Sequence, residues 1–245
     1  ELDSAGISVV PLGGRHVNHF WKLLSQLDIP FITLLDLDRE REGGGWGRIK
    51  YALKQLIEIG VNKESLLSLK GGKILSDEHL DNMHNVKMET EENVKTLESW
   101  FGRLENYNIY FSSPLDIDFL MIEKFLANYL MTLSEGEGPL IKISNDEKQK
   151  RIHNLTNEEK ESEVYKERIK ESIKRALKEK GGSGGTYTDI QKELMIWYSY
   201  FFLTRGKPVT HLQALNHIDD EKLKEDMPIV IQRLCEKAKT IIIKE

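Results

Sequence analysis

The 245-residue sequence has one cysteine, Cys235. That excludes an internal disulfide and a cysteine-based zinc centre, and it fits a cytoplasmic setting. No stretch approaches the roughly 20 apolar residues that cross a bilayer, and no signal peptide is recognisable, so no membrane partner is expected. The sequence has no internal repeat, and its glycine-rich segments lack the Gly-Lys-Ser/Thr ending of a P-loop. It also lacks an excess of positive charge: 35 Lys and Arg face 40 Asp and Glu, a formal net charge of −5. Bulk charge therefore does not advertise a nucleic-acid partner. Nor does it exclude one, because a metal site built from carboxylates is acidic until its ions are bound. What remains is a globular balance of 39% hydrophobic and 31% charged residues, long enough for one large domain or two small ones.

The first half alternates strand and helix signals. Ile7 to Leu12 is a β-branched run ending in Gly13-Gly14, which predicts a strand and a turn. From His16 to Leu27, apolar residues at Val17, Phe20, Leu23, Leu24 and Leu27 have helical spacing. Pro30 opens Phe31 to Leu35, an apolar run suited to a parallel strand covered on both faces. It stops at Asp36-Leu37-Asp38, and a helix is predicted from Trp46 to about Gly60. Such alternation is the signature of a βαβ sheet. After short helical pieces and the break at Lys70-Gly71-Gly72, a helix is predicted over Glu89–Leu104. A strand follows over Asn108–Ser112, then an apolar helix over Phe119–Leu133.

Beyond residue 134 the composition shifts. Asn145–Lys180, dense in Glu and Lys, predicts a solvated helix laced with i,i+4 charge pairs. Gly181–Gly185 reads as a flexible break. Tyr187–Leu203 predicts a helix with Ile190, Leu194, Trp197 and Phe201 on a core-facing stripe, and Asp219–Lys239 one or two further helices. The expected division is an α/β core over residues 1–134, a parallel sheet flanked by helices, with a mostly helical region attached over 135–245.

The residues with most chemical content are Asp36 and Asp38, at the carboxyl end of an apolar strand where open α/β sheets bind ligands. Alternation of period two would send both aspartates to one side and Leu37 to the core. Two ionised carboxylates side by side call for a cation between them, and an all-oxygen donor set suits Mg²⁺ or Mn²⁺. Read otherwise, the pair caps a turn and the next helix. Asp116 and Asp118 repeat the arrangement after Ser112-Ser113-Pro114; the alternative for Asp116 is that it simply N-caps the next helix. Two such clusters converging on two metal ions would suit phosphodiester hydrolysis. Glu40 and Glu42 are either further metal ligands or loop charges. Arg39, Arg41 and Arg48 contact phosphates or pair with those glutamates. Gly43-Gly44-Gly45 before a helix would let backbone amides approach a phosphate. Lys207, in Arg-Gly-Lys-Pro, either places its ammonium where charge builds on a phosphate or is a solvated surface group. His211 is a possible helper, and His16 reads as structural.

Taken in order, these segments resemble the Toprim nuclease region of the overcoming-lysogenisation-defect (OLD) family, in particular its class 2 members and the nuclease subunit of Gabija-type phage defence. The resemblance rests on Val9–Gly14, on the run from Ile32 to Tyr51 containing Asp-Leu-Asp-Arg-Glu-Arg-Glu-Gly-Gly-Gly-Trp-Gly-Arg, on Phe111–Phe119, and on Gly206–Leu212. It implies a Toprim α/β fold, two Mg²⁺ or Mn²⁺ ions and metal-dependent cleavage of DNA. Residue by residue, Asp36 and Asp38 match the Toprim Asp-X-Asp pair, Asp116 a later acidic ligand and Lys207 the lysine at the scissile phosphate. Asp118 and Glu42 are weaker matches to the metal set. The resemblance further implies DNA, an N-terminal ABC-type ATPase domain and a helicase-like protein as partners, and a homo-oligomer. The glutamate motif of the first Toprim strand does not precede Ile7, and Glu1 stands too near to serve. We therefore expect that motif and the ATPase upstream of Glu1, and little nuclease activity from this chain alone. Two other readings compete: a phosphohydrolase of haloacid-dehalogenase type with Asp36 as nucleophile, and a non-catalytic DNA-docking or assembly module.

Overall fold

The computed structural model describes residues 6–13, 17–69, 71–142 and 149–242. Expectations placed on Glu1, Gly14, His16, Lys70 and Asn145 lie outside them. In chain order the elements are α1 (Val17–Gln26), β1 (Thr33–Asp36), α2 (Trp46–Glu58), α3 (Lys63–Leu67), α4 (Asp77–Asn82), α5 (Glu91–Glu98), α6 (Phe101–Glu105) and β2 (Ile109–Ser112). There follow α7 (Ile117–Leu130), β3 (Leu140–Lys142), β4 (Gln149–Arg151), α8 (Asn157–Lys160), α9 (Glu163–Leu177) and α10 (Asp189–Tyr200). A π turn (Phe201–Arg205), α11 (Lys207–Leu215), α12 (Asp220–Asp226) and α13 (Ile229–Ile242) complete the chain. The architecture is α/β and mostly helical.

Two compact units divide it, one of residues 1–37, 43–113 and 229–245, the other of 38–42 and 114–228. This differs from the expected boundary at 134 because α7 spends its apolar residues within the second unit's core: Phe119, Ile122, Phe125 and Tyr129 are buried with Leu177, Met195, Tyr198 and Phe201.

In the first unit β1 and β2 pair in parallel, Thr33 opposite Ile109 and Asp36 opposite Ser112. Both strands were expected from their apolar runs. The helices from α2 to α6 form the crossover that parallel strands require. Helix α2 buries Ile49, Leu53 and Leu56, one face at helical spacing, beside Trp21 and Leu37. The Trp21 indole donates to Thr33 Oγ1 at 2.9 Å, tying α1 to β1. Two expectations fail here. Residues 7–12 form no strand, and Val9 and Val10 are exposed. β-branched residues favour a strand only where an edge pairs with them. The single helix expected over 89–104 is two, α5 and α6, parted at Ser99-Trp100.

Among its described residues, the regular structure of the second unit is helical apart from the antiparallel β3–β4 pair. Strand β4 and α8 occupy ground expected to be one long helix, of which α9 is the remaining part. The α9 helix is charged outside yet buries Tyr165, Ile173, Ala176 and Leu177. In α10, Leu194 and Trp197 are buried as expected, with Phe201 beyond it, whereas Ile190 at its first turn is exposed.

Candidate functional site

The site begins in the five-residue loop 38–42. Strand β1 ends at Asp36 and Asp38 has a left-handed backbone, φ 53°. The strand alternation expected to aim Asp36 and Asp38 alike therefore stops before Asp38; Leu37 is fully buried as expected. Within the second unit the loop is held by backbone bonds from Asp38 N to Leu115 O at 2.7 Å and Arg39 N to Pro114 O at 2.9 Å. Glu40, also left-handed at φ 63°, clamps the glycine-rich segment after α9. Its carboxylate accepts from Gly184 N (2.7 Å), Thr186 N (2.7 Å) and Thr186 Oγ1 (2.5 Å), and its carbonyl from Gly182 N (2.7 Å). A side chain at Gly182 would collide with that carboxylate, a Cβ lying 2.2 Å from Oε2. The segment expected to be flexible, Gly181–Gly185, is thus tied at Gly182 and Gly184 and again just beyond its end at Thr186, and Glu40 is its anchor.

Arg41 is the hub. Its Nη1 donates to Asp38 Oδ1 at 2.5 Å and lies 3.3 Å from Asp116 Oδ2. Its Nη2 donates to Tyr198 Oη at 2.8 Å and its Nε to Ala176 O at 2.9 Å. Tyr198 in turn donates to Asp116 Oδ2 at 2.5 Å. Burial alone would disfavour the guanidinium charge, but Tyr198, Asp116 and Asp38 raise its pKa above the ordinary value. Burial and the neighbouring Asp116 push the Tyr198 phenol up, so it stays a donor. The other oxygen of Asp116, Oδ1, accepts from Phe119 N at 2.9 Å. Asp116 is therefore the N-cap of α7, as one sequence reading had it, and also part of the acidic pair. Burial holds its carboxyl above the usual range, against Tyr198; the charge of Asp118 adds to the rise.

Two residues further along, Asp118 faces different partners. Lys207 Nζ contacts Oδ2, and His211 Nε2 lies 2.9 Å from Oδ1. The His211 Nδ1 is 2.7 Å from Tyr129 Oη, and its ring stacks on Phe202 at 4.9 Å. Burial would raise the Asp118 pKa, but hydrogen bonds from His211 and Lys207 outweigh it and hold the carboxyl below its ordinary value. For Lys207, burial opposes the charge and the Asp118 contact more than restores it, so its pKa is raised. The lysine is placed by the π turn, by Gly206 at φ 106° and by Pro208 in the first turn of α11. Thr210 Oγ1 donates to Gly206 O at 2.7 Å, and Arg205 donates to Thr132 Oγ1 at 2.9 Å. π turns recur at functional sites because they re-aim the residues that follow.

Asp38, Asp116, Asp118 and Lys207, separated by up to 169 positions in sequence, are thus gathered in one unit. Asp36 belongs to the first unit, where Ser112 Oγ donates to its Oδ1 at 3.2 Å. Glu42 is exposed and pairs with Lys180 at 3.2 Å. Arg39 donates to Thr186 O at 2.7 Å and lies over the Tyr187 ring. Sequence reading missed Tyr198. The available signal was a tyrosine inside an apolar stripe, whose hydroxyl must find a partner when buried.

Among the described residues no three His, Cys, Asp or Glu side chains are grouped to hold a metal ion. The Asp38–Asp116 pair nevertheless has the donor chemistry for one. Two hard carboxylates are already gathered about a single positive charge, that of Arg41, and Mg²⁺ commonly needs only one or two carboxylates, its other ligands being water.

No helix among the described residues is long and apolar enough to cross a membrane. Among curated proteins and solved structures nothing matches the chain. One family model does: the Overcoming lysogenization defect protein-like, TOPRIM domain, matches residues 1–38. Over that stretch, which ends on Asp36-Leu37-Asp38, the chain is similar to a nuclease-type module of a generally metal-dependent class.

Proposed function

We propose that this chain is the nuclease portion of an OLD-type protein and cleaves phosphodiester bonds in DNA with a divalent metal. The observation that carries the reading is the meeting, in one compact unit, of Asp38, Asp116 and Asp118 with Lys207. The likeness of residues 1–38 to an OLD-like Toprim domain supports it independently.

Asp38 and Asp116 would hold Mg²⁺ or Mn²⁺, with Asp118 as a further candidate; a role for Asp36 and a second ion belong to the resemblance alone. When bound, a metal polarises a phosphoryl oxygen and lowers the pKa of water. The rest falls to side chains. Lys207, kept protonated by Asp118 and half exposed, offers a fixed positive charge to a phosphate. Asp118 and His211 hold that ammonium in place, and Tyr129 orients His211. Burial keeps Asp116 dry enough that its charge acts through a low dielectric. DNA would be held through its backbone phosphates, which fix register without reading sequence. On the resemblance alone, the proposal extends to an ATPase domain, a helicase-like protein, a homo-oligomer and phage defence.

The test is supercoiled plasmid with the full-length protein in Mg²⁺, Mn²⁺ or EDTA, beside Asp38→Ala, Asp36→Ala and Lys207→Ala. The expected outcome is metal-dependent nicking that falls at least a hundredfold in each variant. Metal-dependent nicking unchanged in Asp38→Ala and Lys207→Ala would overturn the assignment. Folded protein that never cuts would favour the docking-module reading.

A further inference from the structure

Asp38 and Asp116 are held together by a cation the chain itself supplies. Nη1 of Arg41 is within contact of one oxygen of each, 2.5 Å and 3.3 Å away. Both oxygens of Asp116 are engaged: Oδ1 by the Phe119 amide, Oδ2 by Tyr198 and Arg41. Mg²⁺ binds its oxygen ligands at about 2.0–2.1 Å. Placed on these two oxygens, it would sit against the Arg41 guanidinium, with two like charges in nearly the same space. Arg41 is also buried, its side chain only 12% exposed, so water cannot screen that repulsion.

We propose, on the reading that Asp38 and Asp116 are metal ligands, that Arg41 is a resident counter-ion of the metal-free site and that divalent metal binds only by displacing it. The backbone beneath Arg41 does not need to move. Glu40, its neighbour, is fixed by Gly182, Gly184 and Thr186, and Arg39 by Thr186 and Tyr187. The exchange is a rotation of one side chain that breaks its bonds to Asp38, Asp116, Tyr198 and Ala176. Those four bonds set the resistance to metal. The acidic pair is thereby protected from collapse by repulsion when no metal is present, and it takes metal only above a threshold concentration.

Mn²⁺ affinity, read by electron paramagnetic resonance of the free ion, tests this on the full-length protein. Arg41→Gln, which keeps a hydrogen-bonding amide and removes the charge, should bind Mn²⁺ at least tenfold more tightly than wild type. Because Arg41 is tied to four groups, a second measurement needs no variant. Modification of Arg41 by phenylglyoxal, followed by peptide mass spectrometry, should be slow in EDTA and several-fold faster at saturating Mn²⁺. Mn²⁺ bound through Asp38, as judged by its loss in Asp38→Asn, but with equal affinity in Arg41→Gln and no change in Arg41 reactivity, would overturn the displacement alone. Absence of Mn²⁺ binding in wild type and Arg41→Gln alike would overturn it together with the metal assignment.

Discussion

Asp116 and Asp118 stand two residues apart at the start of one helix, both nearly buried, and their environments push them in opposite directions. Asp116 is surrounded by a backbone amide, a phenol and a share of one guanidinium, and burial keeps its pKa above the ordinary range. Asp118 has an ammonium and an imidazole to itself, and its pKa is driven below that range despite burial. Burial alone does not decide the charge of a carboxylate; the number and sign of its partners do. The two centres therefore suit different work: the first is an acidic pair poised around a replaceable cation, the second a cradle that keeps one lysine charged and in place.

Breaking the first centre should cost most. Asp116→Ala removes a helix cap and leaves Arg41 and Tyr198 without their shared acceptor. A loss of about 3–5 kcal/mol, of the size seen when one partner of a buried ion pair is deleted, is expected in urea unfolding. Asp116→Asn, which still caps, should recover about 1 kcal/mol of it. Asp118→Ala should cost less, about 1–2 kcal/mol by the same measurement, because Lys207 is half exposed and rehydrates. A loss for Asp118→Ala equal to that for Asp116→Ala would remove the distinction between the centres.

The finest test is carboxyl ¹³C titration of metal-free protein. Asp118 should titrate below about 3.9 and Asp116 above it. The signs then differ. The folded pKa of Asp118 is depressed, so its contribution to stability is complete above the unfolded value and is lost as pH falls through the folded one. That of Asp116 is raised, so its contribution is complete below the unfolded value and lost as pH rises through the folded one. Midpoints in the reverse order would show that the partners have been misassigned.

Much of this geometry could be read from local sequence. The strands β1 and β2 follow from apolar runs, α7 from its apolar face with an aspartate before it, and the placing of Lys207 from Gly-Lys-Pro. What escaped depends on contacts between distant positions. Glu40 meets Thr186 across 146 residues, and Arg41 meets Tyr198 across 157; neither partner carries a local pattern naming the other. The Gly181–Gly185 run was misread for the same reason, since its small residues admit a carboxylate and do not serve as a loose spacer. Ile7–Leu12 failed in the opposite way. Its composition is that of a strand, but pairing belongs to an edge and not to a segment.

The π turn before α11 has a mechanical consequence of its own. A helix that takes one extra residue in a turn delays everything after it by about 100° of rotation. Leu203 lies within that turn and is partly exposed, so its removal would take little from the core. It would let the turn tighten into ordinary helix and swing Gly206, Lys207 and His211 round together. The extra residue therefore works as a phase setting: it decides where around the helix axis the lysine emerges, and deleting one residue of the turn would dismantle the Asp118 cradle without altering a single residue in it.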